Sequence, residues 1–260
     1  MIFVYSGTGN SYQAARRIAD AMGQHLINIA SAVRYERFSY NAKGSDVGFV
    51  FPVYEAGVPE SVRAFAENVS VADPDRVFVL TTCGEDSTGG AEQFIEELNG
   101  RVRVDAVYDA LMPDNRVIDR DPPAPEDASA TIERAMAEVD AALGSFGNGG
   151  SGDLRRHASG RDWRSAHAAY DEERSTEPFA RNSRCIQCRL CAMFCPTKTI
   201  VFYDRYPVWD EPECDHCMAC IDICPKQAVE YGESTVGRGR WYNPVFYEMS
   251  IGIPLRFDLS

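Results

Sequence analysis

No stretch of the 260-residue chain is apolar for long enough to span a bilayer, so a membrane-embedded role is not expected. The opening residues Met1-Ile2-Phe3-Val4-Tyr5 lack both the basic n-region and the long apolar core of a secretory signal. The protein is therefore expected to be soluble and cytoplasmic, in a compartment where disulfides do not persist. Positive charge is also short: 26 Lys and Arg stand against 39 Asp and Glu, for a net charge of −13. The deficit is uneven, because residues 181–260 hold 9 basic against 10 acidic side chains, which leaves 17 against 29 for residues 1–180. A nucleic-acid partner is not expected from that balance. An acidic surface of this size is compatible with steering toward a basic redox partner. The Gly-Lys-Ser/Thr of a Walker A loop is absent, and so is the third glycine of a dinucleotide fingerprint, where Tyr12 stands. No catalytic triad, general-base cluster or nicotinamide fingerprint is visible.

Cysteine, by contrast, is concentrated in one place. Cys185, Cys188, Cys191 and Cys195-Pro196 are followed by Cys214, Cys217, Cys220 and Cys224-Pro225. Each copy reads C-x2-C-x2-C-x3-C-P, and the second repeats the first at an offset of 29 residues. Three thiolates at i, i+3 and i+6 wrap one concave site and suit three corners of a cubane iron–sulfur cluster, with the fourth ligand coming from elsewhere. Structural zinc normally takes two pairs of ligands separated by a longer loop, not a three-plus-one run. Eight free thiols in so short a span are equally hard to explain as packing.

Residues 180–231 resemble the ferredoxin-type two-cluster domain. In that pattern the Cys-Pro of each motif ligates the cluster of the other. The resemblance thus implies one 4Fe–4S cluster on Cys185, Cys188, Cys191 and Cys224, and a second on Cys214, Cys217, Cys220 and Cys195. The segment is too small to build much of a core, so the clusters would staple it, and it is expected to be unfolded without iron.

Upstream, the pattern alternates strand and helix. Met1 to Tyr5 reads as a buried strand that runs into Ser6-Gly7-Thr8-Gly9-Asn10-Ser11 and then a helix with Ala15, Ile18, Ala19 and Met22 on one side. Such a loop presents backbone N–H groups and a helix N-terminus to an anion. It carries no lysine or arginine, which favours a phosphate monoester held by amides and hydroxyls. Leu26 to Ala30, Asp46 to Phe51, Arg76 to Thr82 and Val102 to Leu111 read as further strands. Ser31 to Ser45 shows no convincing helix. Val58, Val62, Phe65 and Val69 mark one helix, and Ala91, Phe94, Ile95 and Leu98 the apolar face of another. A closing helix carries Ile132, Met136, Val139 and Leu143. Five strands alternating with helices make a parallel α/β sheet, whose ligand loops leave the C-terminal strand ends.

Residues 1–143 resemble a flavodoxin-like domain, with Ser6 to Ser11 matching the flavodoxin phosphate loop. The whole chain is similar to the flavodoxin–ferredoxin fusion proteins of anaerobic bacteria and archaea. The match also includes Phe51-Pro52-Val53-Tyr54, Thr82-Cys83-Gly84, Met112-Pro113-Asp114-Asn115 and Arg240-Trp241-Tyr242-Asn243-Pro244. The resemblance implies FMN, with its phosphate on Ser6, Thr8, Gly9, Asn10 and Ser11. Its ring would lie between the loops of Pro52 and Tyr54 and of Thr82, Cys83, Gly84 and Gly89. Tyr54 would cover one ring face. The loop from Thr82 to Gly90 has no aromatic residue, so the other face is either open or covered by the ferredoxin-type domain, with Glu85 and Asp86 disfavouring an anionic reduced flavin. Cys83, outside the cluster motifs, reads as a small buried residue at a strand end.

Gly144 to Gly152 reads as a flexible linker, so residues 144–179 are expected to link and connect, by way of a helix. Arg155, Arg156, Arg161 and Arg164 there suit either a solvated helix or docking to the acidic face or a partner. The aromatic-rich residues 232–260 are expected to pack back onto a domain surface. Together these readings give electron transfer between two 4Fe–4S clusters and FMN, with exchange to a redox partner protein. The alternatives are an FMN-dependent reductase of a quinone- or nitro-type small molecule, wired by the clusters, and a redox or oxygen sensor.

Overall fold

The computed structural model describes residues 1–250 and contains an N-terminal α/β sheet domain against which a C-terminal ferredoxin-type domain packs. The sheet comprises β1 (Ile2–Val4), β2 (Leu26–Asn28), β3 (Ser39–Pro52), β4 (Ser70–Cys83), β5 (Ala106–Leu111) and β6 (Gly152–Asp153). Its strands are all parallel, in the order β2-β1-β3-β4-β5-β6. The first five follow the doubly wound order of flavodoxin-like sheets. Central strands buried on both faces must be apolar throughout, and Ile2, Phe3, Val4, Val47, Phe49, Val50 and Phe51 meet that requirement.

Helices cover both faces. The α1 helix (Asn10–Met22) and α5 (Pro125–Gly147) pack Ala15, Ile18, Val139 and Phe146 against Val4, Val50 and Leu80 on one side. On the other, α2 (Ile29–Arg34), α3 (Glu60–Asn68) and α4 (Gly90–Leu98) bury Ile29, Phe65 and Phe94 against Phe3, Phe49 and Phe51. The stacked Phe3 and Phe49 rings, 5.0 Å apart, lie at the centre of that layer.

Several expectations are corrected. The sheet has six strands, not five, because the glycine-rich stretch read as a linker is ordered into the sheet domain. Its first residues end α5, and Gly152 and Asp153 pair with Ala106 and Val107. A helix, α2, occupies residues where none was expected: Asn28 caps it by accepting from Ser31 N at 2.8 Å, a signal hidden inside the second strand's apolar run. Ile95 is exposed on α4, leaving Ala91, Phe94 and Leu98 as the buried face.

The segment after β6 returns across the mouth of the sheet. Arg155 is only 5% exposed and pairs with Glu92 at 2.7 Å and Asp153 at 2.6 Å. Arg161 reaches Asp86 at 3.0 Å, and Arg164 pairs with Glu96. These arginines therefore dock on the acidic face of the sheet domain. Burial pushes the Asp86 carboxyl up, but hydrogen bonds from Ser159 and Thr88 outweigh it and hold it below its ordinary value of 3.8. A carboxyl depressed in this way contributes its full stabilisation at neutral pH, and the contribution fades only as the pH falls below that value. Asp86→Asn should therefore loosen the segment at pH 7. The charged acceptor contributes about 1.5 kcal/mol, so amide exchange at Ser159 and Gly160 should rise roughly tenfold; unchanged exchange would show that the segment is held elsewhere.

After α6 (Trp163–Glu173) comes the ferredoxin-type unit: β7 (Phe179–Arg181), α7 (Leu190–Met193), β8 (Ile200–Tyr203), β9 (Tyr206–Trp209), α8 (Ala219–Asp222) and β10 (Val229–Tyr231). The 29-residue repeat is visible in the backbone. Gln187 and His216, Arg189 and Met218, and Lys198 and Gln227 share left-handed φ values, 46° to 64°, and α7 and α8 start at equivalent positions. A short 3-10 helix at Phe246–Ser250 ends the described residues.

Candidate functional site

Two sets of thiols and one large cavity mark the candidate site. Cys195 joins Cys214, Cys217 and Cys220 around one small apolar cavity, with Ile200, Trp209 and Met218 in its wall. Cys224 joins Cys185, Cys188 and Cys191 around another, walled by Leu190, Phe202 and Pro207. Each crossed set of four cysteines thus lines one cavity. The left-handed turns at Gln187 and Arg189, and at His216 and Met218, curl each loop so that its three thiols face inward. Backbone and hydroxyl groups point at the sulfurs: His216 N donates to Cys214 Sγ at 3.4 Å, Ala228 N donates to Cys224 Sγ at 3.2 Å, and Thr197 Oγ1 lies 3.3 Å from Cys195 Sγ. Burial pushes the Cys191 and Cys214 thiols up to about 12.

The third cavity, of about 260 Å³, opens at the C-terminal ends of β1, β3, β4 and β5. Ser6, Thr8, Asn10, Ser11, Pro52, Tyr54, Thr82, Cys83 and Gly84 all line it. Gly9 and Gly89 do not, and they act through the backbone instead. Gly9, at φ 102°, turns the chain into α1 and leaves the helix N-terminus without a side-chain cap. Gly89, at φ 91°, packs against Ala56 and Trp163. Hydroxyls are set in place around the loop: Ser6 Oγ accepts from Gly9 N at 3.1 Å, Ser11 and Thr82 share a bond of 2.8 Å, and Asn115 donates to Thr8. Burial holds the Cys83 thiol well above its ordinary range, in keeping with a buried strand-end residue.

The wall facing the sheet comes from the second cysteine motif, through His216, Cys217 and Met218. The contact is close. A Cβ on Gly7 would lie 2.5 Å from Cys217 Cβ and 2.9 Å from the Tyr54 hydroxyl. Asp215, buried between the domains, accepts from Ser61 Oγ at 2.6 Å and from Ser61 N at 3.1 Å, while the Tyr170 hydroxyl donates to the Asp215 carbonyl at 3.0 Å. Tyr54 packs beside Tyr5 and Tyr170, with ring centroids 6.4 Å away in each case. Burial raises its phenol well above 10 and keeps it neutral.

Charge at the rim is partly paired. Glu85 and Asp114 are both held by Arg120, at 2.8 and 3.0 Å, Glu55 by Arg116 at 2.6 Å, and Asp86 by Arg161. Four acids thus share three arginines, and Glu85 and Asp86 each have an arginine partner. Those arginines were not singled out as site residues. Arg116 and Arg120 follow a loop whose motif, Met112 to Asn115, was noted, and Arg161 comes from the connecting segment, so no local spacing connects the three.

Of the tail expected to pack back, the described part, residues 232–250, does so on the loop that opens α1, and residues 251–260 lie outside the described residues. Asn243, fully buried, donates its backbone N–H to the Thr8 carbonyl at 2.9 Å and its side-chain amide to Asn10 at 3.2 Å and Gln13 at 2.6 Å. Phe246 lies over Gly9, and its ring packs tilted on Phe194 of the first motif, with centroids 4.6 Å apart.

Among the described residues no helix is long and apolar enough to cross a membrane. Residues 177–225 match the family model of the 4Fe-4S dicluster domain. Over 63 residues the chain is 30% identical to pyruvate synthase subunit PorD of Thermotoga maritima; that stretch is 24% of this chain and covers 64% of the subunit, less than two thirds of its length. The C-terminal part of this chain is accordingly an iron–sulfur dicluster domain, joined to an N-terminal parallel sheet that fits the flavodoxin-like order.

Proposed function

We propose that this chain carries electrons along one internal line, from two 4Fe–4S clusters to FMN held in the large cavity, and exchanges them with a redox partner protein. Electron transfer as such is what the dicluster domain supports. The finer reading rests chiefly on one observation: Cys217 and Met218 line both the large cavity and the second thiol cavity, so a single layer of residues separates the two. In this reading residues 1–143 hold the flavin, and the two crossed cysteine sets in 180–231 hold the clusters.

The residues present fit FMN. The loop of α1 offers uncapped first-turn amides and the hydroxyls of Ser6, Thr8 and Ser11 to a phosphate, with no cation in the loop. Bound there, FMN would supply a couple that takes one or two electrons beside clusters that each take one. Tyr54 would orient the ring from the sheet side and Met218 from the other. The loop of His216 to Met218 would keep water from the interval between the cofactors. N–H donors to Cys214 and Cys224 favour added negative charge at the clusters and so raise their potential.

Recognition through the phosphate gives a direct test. Protein prepared without oxygen should retain FMN and bind riboflavin at least roughly a hundredfold more weakly, because each charge-assisted hydrogen bond lost with the phosphate removes about 1.5–3 kcal/mol. Replacing Thr8 with phenylalanine should release FMN while iron content stays constant. Equal affinity for riboflavin would reduce the loop from Ser6 to Ser11 to a simple turn.

A further inference from the structure

The first thiol set differs from the second in that it contains an exposed cysteine. Cys188 is exposed, and Ile186 beside it is 55% exposed, whereas Cys220 of the second set is buried. Arg189 and Lys226, both exposed, stand in the wall of this cavity, and no Asp or Glu lines it. The local sequence has the same character. Residues 178–203 contain Arg181, Arg184, Arg189 and Lys198 and not one carboxylate, in a chain of net charge −13. Two of these cations are engaged internally: Arg184 with Glu230 at 3.1 Å, and Lys198 with the Met193 carbonyl at 2.5 Å. Arg189 lies over the Phe202 ring at 5.3 Å. Among the described residues neither it nor Lys226 has a carboxylate partner.

Three acids of the sheet domain beside the connecting segment are in the opposite condition. Asp86, Glu92 and Glu96 are already taken by Arg161, Arg155 and Arg164 of the same chain. The charge left free beside an exposed cysteine is therefore positive, despite the overall sign of the protein.

We infer that the mouth around Cys188, formed by Ile186, Arg189 and Lys226, is the docking face for an acidic redox protein. Charge complementarity there would speed encounter and select against basic carriers. Ile186 would supply the small apolar contact from which water is expelled. Each encounter passes one electron: the donor protein's centre is oxidised by one electron and the acceptor reduced by one, with no bond made and no proton moved. The inference rests on the cluster reading above and is independent of FMN.

The test uses the full chain, loaded with iron under anaerobic conditions, against two probes: a small acidic ferredoxin and a basic c-type cytochrome. Binding is followed by interferometry at low and at physiological salt. The acidic probe should bind, with an association rate that falls as salt rises, and the basic one should not. Arg189→Glu combined with Lys226→Glu should weaken the acidic probe by about tenfold or more at unchanged iron content. Arg103→Glu, at the opposite end of the sheet domain, should leave it unaltered. Because Arg189 sits in a left-handed turn of the cysteine loop, Lys226→Glu alone carries the test if the double variant loses iron. Preference for the basic probe, binding indifferent to salt and to Lys226, or pairing of the chain with a second copy in sedimentation in place of probe binding would each overturn the inference. Iron missing from the unmodified protein would instead bring down the cluster reading itself.

Discussion

Cys195→Ala should halve the iron of the anaerobically prepared protein, from about eight atoms to about four, and the lost cluster should be the one belonging to the other motif. Cys195 lies among Cys214, Cys217 and Cys220, not among the three cysteines that precede it in its own motif. Alkylation followed by mass spectrometry locates the damage. Cys214, Cys217 and Cys220 should become reactive in the variant, while Cys185, Cys188 and Cys191 stay protected. Cys224→Ala should give the mirror result. Exposure of Cys185, Cys188 and Cys191 in the Cys195 variant would show that each motif holds its own cluster. Because β7, β10 and the two short helices pack around the thiols as one apolar group, either variant should also lose thermal stability.

Gly7→Val is the second change with a large expected effect. Its Cβ would overlap Cys217 Cβ and press on the Cys217 carbonyl at 3.0 Å, so the phosphate loop and the cysteine loop must part. Overpacking of this kind costs about 1–3 kcal/mol. Parting the loops widens the one layer that separates the proposed cofactor sites, and electron transfer slows as that gap grows. In the unmodified protein, reducing equivalents given to the clusters should reach the flavin at a rate independent of protein concentration, because both sites lie in one chain. In Gly7→Val that rate, measured on the flavin-loaded fraction, should fall while iron content holds. An unchanged rate would mean that the route avoids Cys217. A rate proportional to concentration in the unmodified protein would make the two domains separate carriers.

The sequence was most readable where chemistry fixes spacing. Eight cysteines at a repeated interval leave little freedom, and the crossed sets are found together. The strand-borne loops were readable for a similar reason, since Ser6 to Ser11, Tyr54 and Thr82 to Gly84 follow apolar strands and arrive at one sheet edge. What escaped was set by long-range pairing. Gly152 and Asp153 carry no strand propensity and form β6 only because β5 has a free edge beside α5. Gly144 to Gly147 look flexible yet extend a 23-residue helix. The arginines of residues 155–164 fitted equally well a solvated helix or a docked one, and only the positions of Asp86, Glu92 and Glu96 decide between the two. The wall from His216 to Met218 was hidden for the opposite reason: those residues already had an assignment within the cysteine motif.

The bond from Asn243 to Thr8 joins residues 235 positions apart. During synthesis the loop of Ser6 to Ser11 emerges first, yet the clamp that holds it emerges only after both cysteine motifs have left the ribosome. The contact that fastens the loop at the start of the chain is thus supplied by almost the last described residues. A chain stalled before Asn243 would hold its cysteines but leave that loop unclasped.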